Sequence, residues 1–308
     1  MIPLAGLNKD PRLETMGGIG VAWTGRNVKS CPNPASLFFD DQDFSFVLRT
    51  QTAEILGYSS LPALPQLNFG GFFCADMVSF SLDVNFDCDN RRSTRHDDVY
   101  RTTSIGLDLC AGYGNISAGL GISGGSLQQR IDVPLESYFD LVNQFFLPPY
   151  DRVVTSEYFQ VNLGLMYKKN AFSFGLLLDN ILDKVGLDTT LTWESVFSET
   201  RFGFYYARDE YSKRGKMNNY VFSAGADINN VFSQENRSLN VGAEATFRFV
   251  RDFSMSVRRG YSAELDEIKN GVLTIGFGSQ LRQIEISLAF SFSKIQQSKV
   301  YFAASYQI

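Results

Sequence analysis

From Leu239 to Phe249 the chain alternates without a break. Leu239, Val241, Ala243, Ala245, Phe247 and Phe249 fall on one face, and Asn240, Gly242, Glu244, Thr246 and Arg248 fall on the other. Opposite facing at every step is the geometry of a β-strand. Val78–Phe86 repeats the pattern, with Val78, Phe80, Leu82, Val84 and Phe86 opposing Ser79, Ser81, Asp83 and Asn85. So does the stretch with Ile284, Ile286, Leu288, Phe290 and Phe292 on one face and Glu285, Ser287, Ala289 and Ser291 on the other. The periodicity predicts fourteen strands, at 44–56, 66–73, 76–87, 100–112, 115–123, 155–168, 171–180, 199–208, 218–228, 237–250, 253–262, 271–279, 282–293 and 298–308. The segment at 253–262 breaks the rule once, because Arg259 falls on its apolar face. A bulge or a snorkelling side chain would accommodate it.

Alternation also occurs in soluble sandwiches, so length and connections decide. Strands of soluble proteins usually run about five or six residues. Here the alternation persists for about nine to eleven, the length a tilted strand needs to cross a bilayer. The connections alternate too. Short turns stand at Cys74-Ala75-Asp76, Tyr113-Gly114-Asn115, Lys169-Asn170, Arg251-Asp252 and Gln280-Leu281, and longer loops at 88–99, 124–154, 181–198, 229–236 and 263–270. Short turns on one side and long loops on the other are a habit of outer-membrane barrels. The connection at 209–217 is long where a short one is expected, and that at 294–297 is shorter than its neighbours. The predicted fold is all-β: a fourteen-stranded antiparallel transmembrane β-barrel in a bacterial outer membrane.

Composition agrees with this and narrows the chemistry. Mean hydropathy is −0.10, and no run reaches the roughly 18 apolar residues of a transmembrane helix. Twenty-six Gly, 27 Phe and 14 Tyr favour strands and tight turns. A net charge of −5 argues against a nucleic-acid partner. The single histidine, His96, sits among Arg95, Asp97 and Asp98, so neither a histidine metal site nor a histidine-based triad is expected. Cys31, Cys74, Cys88 and Cys110 are widely spaced without a CxxC. They do not read as a zinc site, and their pairing stays open. The start MIPLAGLNKDPR lacks the charged and apolar regions of a signal peptide.

Residues 1–43 stand apart from the alternation. They are rich in glycine (Gly17, Gly18, Gly20, Gly25) and end in CPNPASLFF. Two runs, Met16-Gly17-Gly18-Ile19-Gly20-Val21-Ala22 and Cys31-Pro32-Asn33-Pro34-Ala35-Ser36-Leu37-Phe38, resemble the N-terminal segment of the long-chain fatty-acid transporter (FadL) superfamily. The C-terminal runs Asn240-Val241-Gly242-Ala243-Glu244 and Thr274-Ile275-Gly276-Phe277-Gly278 are similar to the type IX secretion shuttle barrel and to spirochaetal members of the superfamily. The resemblance implies that residues 1–43 form a hatch inside a barrel of residues 44–308, with Asn33, Pro34 and Ala35 as its motif. The physics suits this. Fourteen strands enclose a bore wider than the wall side chains can fill. Glycine permits close approach to the wall, and proline fixes the turn towards the first strand.

Parity places Asp83, Asp108, Asp179, Asp227, Glu244, Arg248, Arg258 and Glu285 on the lumen side. An aqueous lumen calls for polar residues there, so no catalytic role is assigned and no enzyme is expected. The loop 124–154 is more telling. Within Glu136–Phe146, Tyr138, Leu141, Val142 and Phe145 recur at helical spacing beside Phe139 and Phe146, and Pro148 and Pro149 follow as a stop. This is an amphipathic helix whose apolar face either packs on the rim or binds a ligand. In the resembled family the loops after the fifth and seventh strands capture ligand. The second loop here carries Ile181, Leu182, Val185, Leu187, Leu191, Trp193 and Val196. The expected role is a monomeric channel, with neither metal nor cofactor, passing long-chain fatty acids or other hydrophobic small molecules and contacting outer-membrane lipid. The alternatives are a barrel scaffold or shuttle subunit of a secretion or surface-protein system, and a general porin. If the loop helix captures ligand, changing Leu141 and Phe145 to Ser weakens fatty-acid binding and leaves thermal stability nearly unchanged. An unaltered binding isotherm leaves the helix as a rim cover.

Overall fold

The computed structural model of the chain describes residues 11–24, 32–39, 44–55, 66–92, 97–132, 151–185, 200–207, 220–232, 237–250, 253–293 and 299–307. Fourteen strands form one closed ring in sequence order: β1 (Phe44–Ile55), β2 (Gln66–Ala75), β3 (Val78–Arg92), β4 (Asp97–Tyr113), β5 (Ile116–Asp132), β6 (Asp151–Lys169), β7 (Phe172–Val185), β8 (Thr200–Ala207), β9 (Tyr220–Asn229), β10 (Ser238–Val250), β11 (Phe253–Glu264), β12 (Val272–Leu281), β13 (Ile284–Phe292) and β14 (Lys299–Gln307). Every neighbouring pair is antiparallel, and β1 closes on β14 from Val47↔Gln307 to Ile55↔Lys299. Closure satisfies each strand's backbone groups without leaving an edge, which is the condition for crossing lipid.

The ring is apolar outside and polar inside. On β3, Phe80 and Leu82 are 43% and 48% exposed, while Ser79 and Ser81 between and beside them are fully buried. Outward rings meet across strands, as in Phe73–Phe80 at 5.4 Å and Phe174–Phe204 at 5.3 Å. Near the short turns the outer face carries Phe44, Tyr113 and Phe249, an aromatic girdle of the kind that lies at a membrane interface. An outside of this kind is built for lipid. No helix among the described residues is long and apolar enough to cross a membrane. The short turns tighten to two residues whose first member is left-handed: Asp76, Gly114, Asn170 and Arg282, with φ between 43° and 61°. Such turns match the twist of the strands they join.

The strands expected from periodicity are all present, but several run on. β5 continues to Asp132 and β6 begins at Asp151, so the loop is shorter than 124–154. β3 and β4 likewise extend to Arg92 and Asp97, β7 to Val185, and β11 to Glu264. The last is followed by a 3-10 turn, Leu265–Asn270, rather than open loop. Periodicity could not show these extensions. Beyond the bilayer neither face meets lipid, so pairing continues without hydrophobic alternation. Of the two readings of Arg259, the bulge is excluded and the snorkelling side chain remains. The ladder runs evenly through Ala243↔Arg259↔Ile275, so no bulge turns it inward, and its side chain is exposed on the outer face. The irregularities among the described strands lie elsewhere: between Arg248 and Val250, and where Val161 and Leu163 face Leu182 and Leu178.

Ala245 faces outward opposite Phe222 and Val257. Ala245→Arg should cost about 2–4 kcal/mol of folding stability in bilayers if the site lies near the midplane. Single-cysteine labelling through 239–249 should show period-two reactivity towards a lipid-phase probe, and uniform reactivity would contradict the two-faced strand.

Candidate functional site

The inner wall is occupied by the chain's own N-terminal segment. Pro11 opens a five-residue helix, α1 (Pro11–Thr15), as proline does at the first helical position. A helix this short has no independent stability. Two left-handed glycines end it, Gly17 (φ 78°) and Gly18 (φ 82°), and the Gly18 amide donates to the Leu13 carbonyl at 2.8 Å. Beyond the turn, Leu13, Met16, Ile19, Ala22 and Trp23 pack together with Tyr205 of β8. The indole Nε1 of Trp23 donates to Tyr205 Oη at 3.0 Å.

Charge fastens α1 to the wall. Arg12 donates from Nε and Nη2 to the two carboxylate oxygens of Glu244 on β10, at 2.7 and 2.6 Å. Glu244 also accepts from Arg258 Nε on β11 at 2.8 Å, and Arg258 reaches Ser287 (3.0 Å) and Glu285 (3.3 Å) on β13. Charges alternate from the segment to β13 as cation, anion, cation, anion, and cancel. Glu244 and Arg258 are only 4% and 3% exposed, so each relies on its partner for the solvation it has lost. Burial by itself opposes the Arg12 charge, but the facing Glu244 and Glu285 carboxylates outweigh it and raise its pKa. The Arg12 guanidinium also lies 4.8 Å from the Trp23 ring centroid, in cation–π contact.

Further along, the wall supplies acceptors and donors that complete the segment's backbone. Asp227 of β9 accepts from the Gly20 and Val21 amides at 2.6 and 3.0 Å. Thr274 donates to the Thr15 carbonyl at 3.0 Å, Ser173 to Ala22 at 2.7 Å and Ser117 to Ala35 at 2.7 Å. Buried backbone groups need such partners. The wall is cut to fit. Gly242 of β10 and Gly260 of β11 face each other across the ladder, and a Cβ on either would strike the Met16–Gly17 backbone.

Of the residues the sequence singled out, Asn33, Pro34 and Ala35 are buried at the inner wall. Asn33 Nδ2 donates to the Val21 carbonyl at 2.7 Å, and its Oδ1 accepts the Ala35 amide at 3.0 Å. One side chain thereby ties the two described pieces of the segment together. A Cβ at Gly164 on β6 would collide with that amide. Pro34 opens a 3-10 turn, Pro34–Phe39, whose Leu37 packs on Phe72 and Cys110. The charged lumen positions also behave as parity requires: Asp179 pairs with Arg201 at 2.6 Å, and Asp108 accepts from Ser81 at 3.2 Å. Cys74 and Cys110 are free thiols on β2 and β4, with Ser79 of β3 between them in register. Two strands' separation is too great for a disulfide.

Tyr138, Phe139, Leu141, Val142, Phe145 and Phe146 lie outside the described residues, as do His96 and Cys31. Sequence reasoning missed Arg12, Trp23 and Tyr205. The available signal for Arg12 was a cation before the glycine run in a chain whose lumen face carries buried carboxylates. Among the described residues no cluster of three or more His, Cys, Asp or Glu could hold a metal.

No protein-family model matches the sequence, and no curated protein matches it. Solved structures do. The chain is similar to the CymD monoaromatic hydrocarbon channel, with a TM-score of 0.67 and 12% identity over 100% of this chain and 98% of that one. It is similar to the Ralstonia pickettii toluene transporter TbuX (TM-score 0.64, 13% identity, 99% of both chains). A Pseudomonas aeruginosa FadL homologue superposes with a TM-score of 0.55 at 9% identity over 97% of both. At these identities the likeness is one of fold, the closed fourteen-stranded barrel, and it covers 97–100% of this chain.

The Arg12–Glu244–Arg258 arrangement makes a sharp prediction. Glu244→Gln leaves Arg12 without its partner and facing Arg258, which keeps only Glu285, a loss of about 3–5 kcal/mol. Exchange of the Gly20 and Val21 amides should then quicken by about two to three orders of magnitude. Arg12→Gln leaves Glu244 paired with Arg258 and should have a smaller effect. Equal exchange in all three proteins would show that the charges do not hold the segment.

Proposed function

We propose that this chain is an outer-membrane channel for hydrophobic small molecules, with residues 1–43 as a hatch in the lumen of a barrel formed by residues 44–308. The observation that carries the reading is the N-terminal segment fastened across the inner wall, from β5 at Ser117 to β12 at Thr274. A ring of this size without an internal filler would leave an aqueous pore. The apolar side chains of the segment are buried against themselves and the wall, while its neutral hydrogen bonds are individually modest, about 0.5–1.5 kcal/mol each. Such a segment can be held shut and still be moved. The likeness to channels named for monoaromatic hydrocarbons and toluene supports a hydrophobic cargo.

Passage then needs no covalent chemistry. A ligand is gathered on the apolar face of 136–146 by Tyr138, Leu141, Val142 and Phe145, with Phe139 and Phe146 beside them. It enters the ring, and displacement of the hatch lets it leave. Asn33, Pro34 and Ala35 act as the hatch's pivot, since Asn33 holds both pieces of the segment. Long-chain fatty acids are the cargo that the sequence resemblance implies, and small aromatic hydrocarbons the cargo that the structural likeness favours. The barrel works as a monomer in contact with outer-membrane lipid. A scaffold or shuttle role in secretion is the competing reading.

Removing residues 1–35 should leave a folded barrel, because the strands supply the hydrogen-bonded ring. Single-channel conductance in a planar bilayer should rise from near zero to porin-like values. A truncated barrel as closed as the full chain rejects the hatch. Uptake of oleate and of toluene into proteoliposomes then separates the two cargoes, and uptake of neither favours the scaffold.

A further inference from the structure

Arg259 is a charge in the wrong place for a lipid-facing wall. It is exposed at an outward position of β11. Its neighbours in register are Ala243 on β10 and Ile275 on β12, and the diagonal ones are Val241, Ala245, Leu273 and Phe277. All are apolar. Among the described residues no carboxylate pairs with it. On β10 to β13 it is the one charged side chain at an outward position. The other charged residues of these four strands, Glu244, Arg248, Arg258, Glu264 and Glu285, stand at inward positions. An outward arginine costs about 2–4 kcal/mol at the bilayer midplane, and less towards an interface, unless something satisfies it.

Depth and shape say what can. Five residues separate Arg259 from Glu264 at the long-loop end of β11, which at strand rise and barrel tilt is about 12 Å below that end. A guanidinium that snorkels from there towards the interface comes to the level of lipid headgroups. Tyr261, one outward position further up, marks the approach to that interface, since its Oη donates to the Ile268 carbonyl in the 3-10 turn. Beside Arg259 the wall is thin. Ala243 faces Ala224 of β9 across the ladder, and Ala226 faces Val241, whereas Phe222 and Phe277 stand out on either side at 43% and 48% exposure. The result is a shallow apolar strip with a cation at its rim, complementary to an acyl chain and an anionic head.

We propose that Arg259 and the strip beside it form a binding site for a phosphate-bearing anionic membrane lipid, the guanidinium gripping the phosphate by its fork of N–H donors and the acyl chain lying over Ala243. The proposal rests on the barrel sitting in a bilayer and not on what the lumen carries, so failure of transport leaves it standing. The full chain in nanodiscs of phosphatidylcholine with a minor share of phosphatidylglycerol tests it. Native mass spectrometry should find about one phosphatidylglycerol retained per barrel. Arg259→Leu, which removes a charge from lipid and should fold, should lower that retention about tenfold. Arg259→Lys should keep much of it. Ala243→Phe, which fills the strip with the cation in place, should lower it as well. Phosphatidylcholine adducts should be unaffected by all three. Unchanged phosphatidylglycerol retention in Arg259→Leu or in Ala243→Phe overturns the site. So does a barrel dimer that Arg259→Leu disperses, which would mean that the cation meets a second copy.

Discussion

Closure of the hydrogen-bonded ring is the constraint on which the rest of the structure depends. A strand in lipid has no water to satisfy its amides and carbonyls, so every strand must be paired on both sides. The ladder between β1 and β14 meets that need for the whole sheet. Once closed, the sheet has one face in hydrocarbon and one in the lumen, and the side-chain period of two assigns each residue to one of them. The hydrophobic effect, which fills the centre of a soluble protein, here fills the outside.

The inverted arrangement creates a second requirement. A ring of fourteen strands is wider than its inward side chains, which are mostly serine, glycine, alanine, asparagine and aspartate, can span. The N-terminal segment takes up the space between them. It cannot be held by apolar burial alone, because the wall offers little apolar surface, so it brings its own small core around Met16, Ile19 and Trp23. It is then pinned by polar bonds to Glu244, Asp227, Ser173 and Thr274. Bonds of this kind depend on direction and can be broken one at a time, unlike a packed core. The proposed hatch, which would have to both close a pore and move, is well served by them.

The strand positions were legible in the sequence because lipid enforces alternation. Phe80 and Ser81 could not exchange faces without placing a serine in hydrocarbon and a phenylalanine against a polar wall. The inward charges Asp179, Asp227, Glu244 and Arg258 followed from the same parity. Where lipid ended, legibility ended with it. The upper reaches of β3 to β7 are paired strands with no alternation to reveal them. Arg259 was visible as an exception, but only the unbroken ladder through Ala243 and Ile275 showed that it truly faces outward.

The sequence by itself determined the number of strands, the face of each residue within the alternating stretches and the separate character of residues 1–43, since these follow from local periodicity and composition. The tertiary structure alone decided which groups meet. Arg12 and Glu244 stand 232 positions apart, Gly20 and Asp227 stand 207 apart, and Thr15 and Thr274 stand 259 apart. No local pattern encodes such pairings. They exist because ring closure brings β9 to β13 around one lumen, where a buried charge must find its opposite and a buried amide its acceptor.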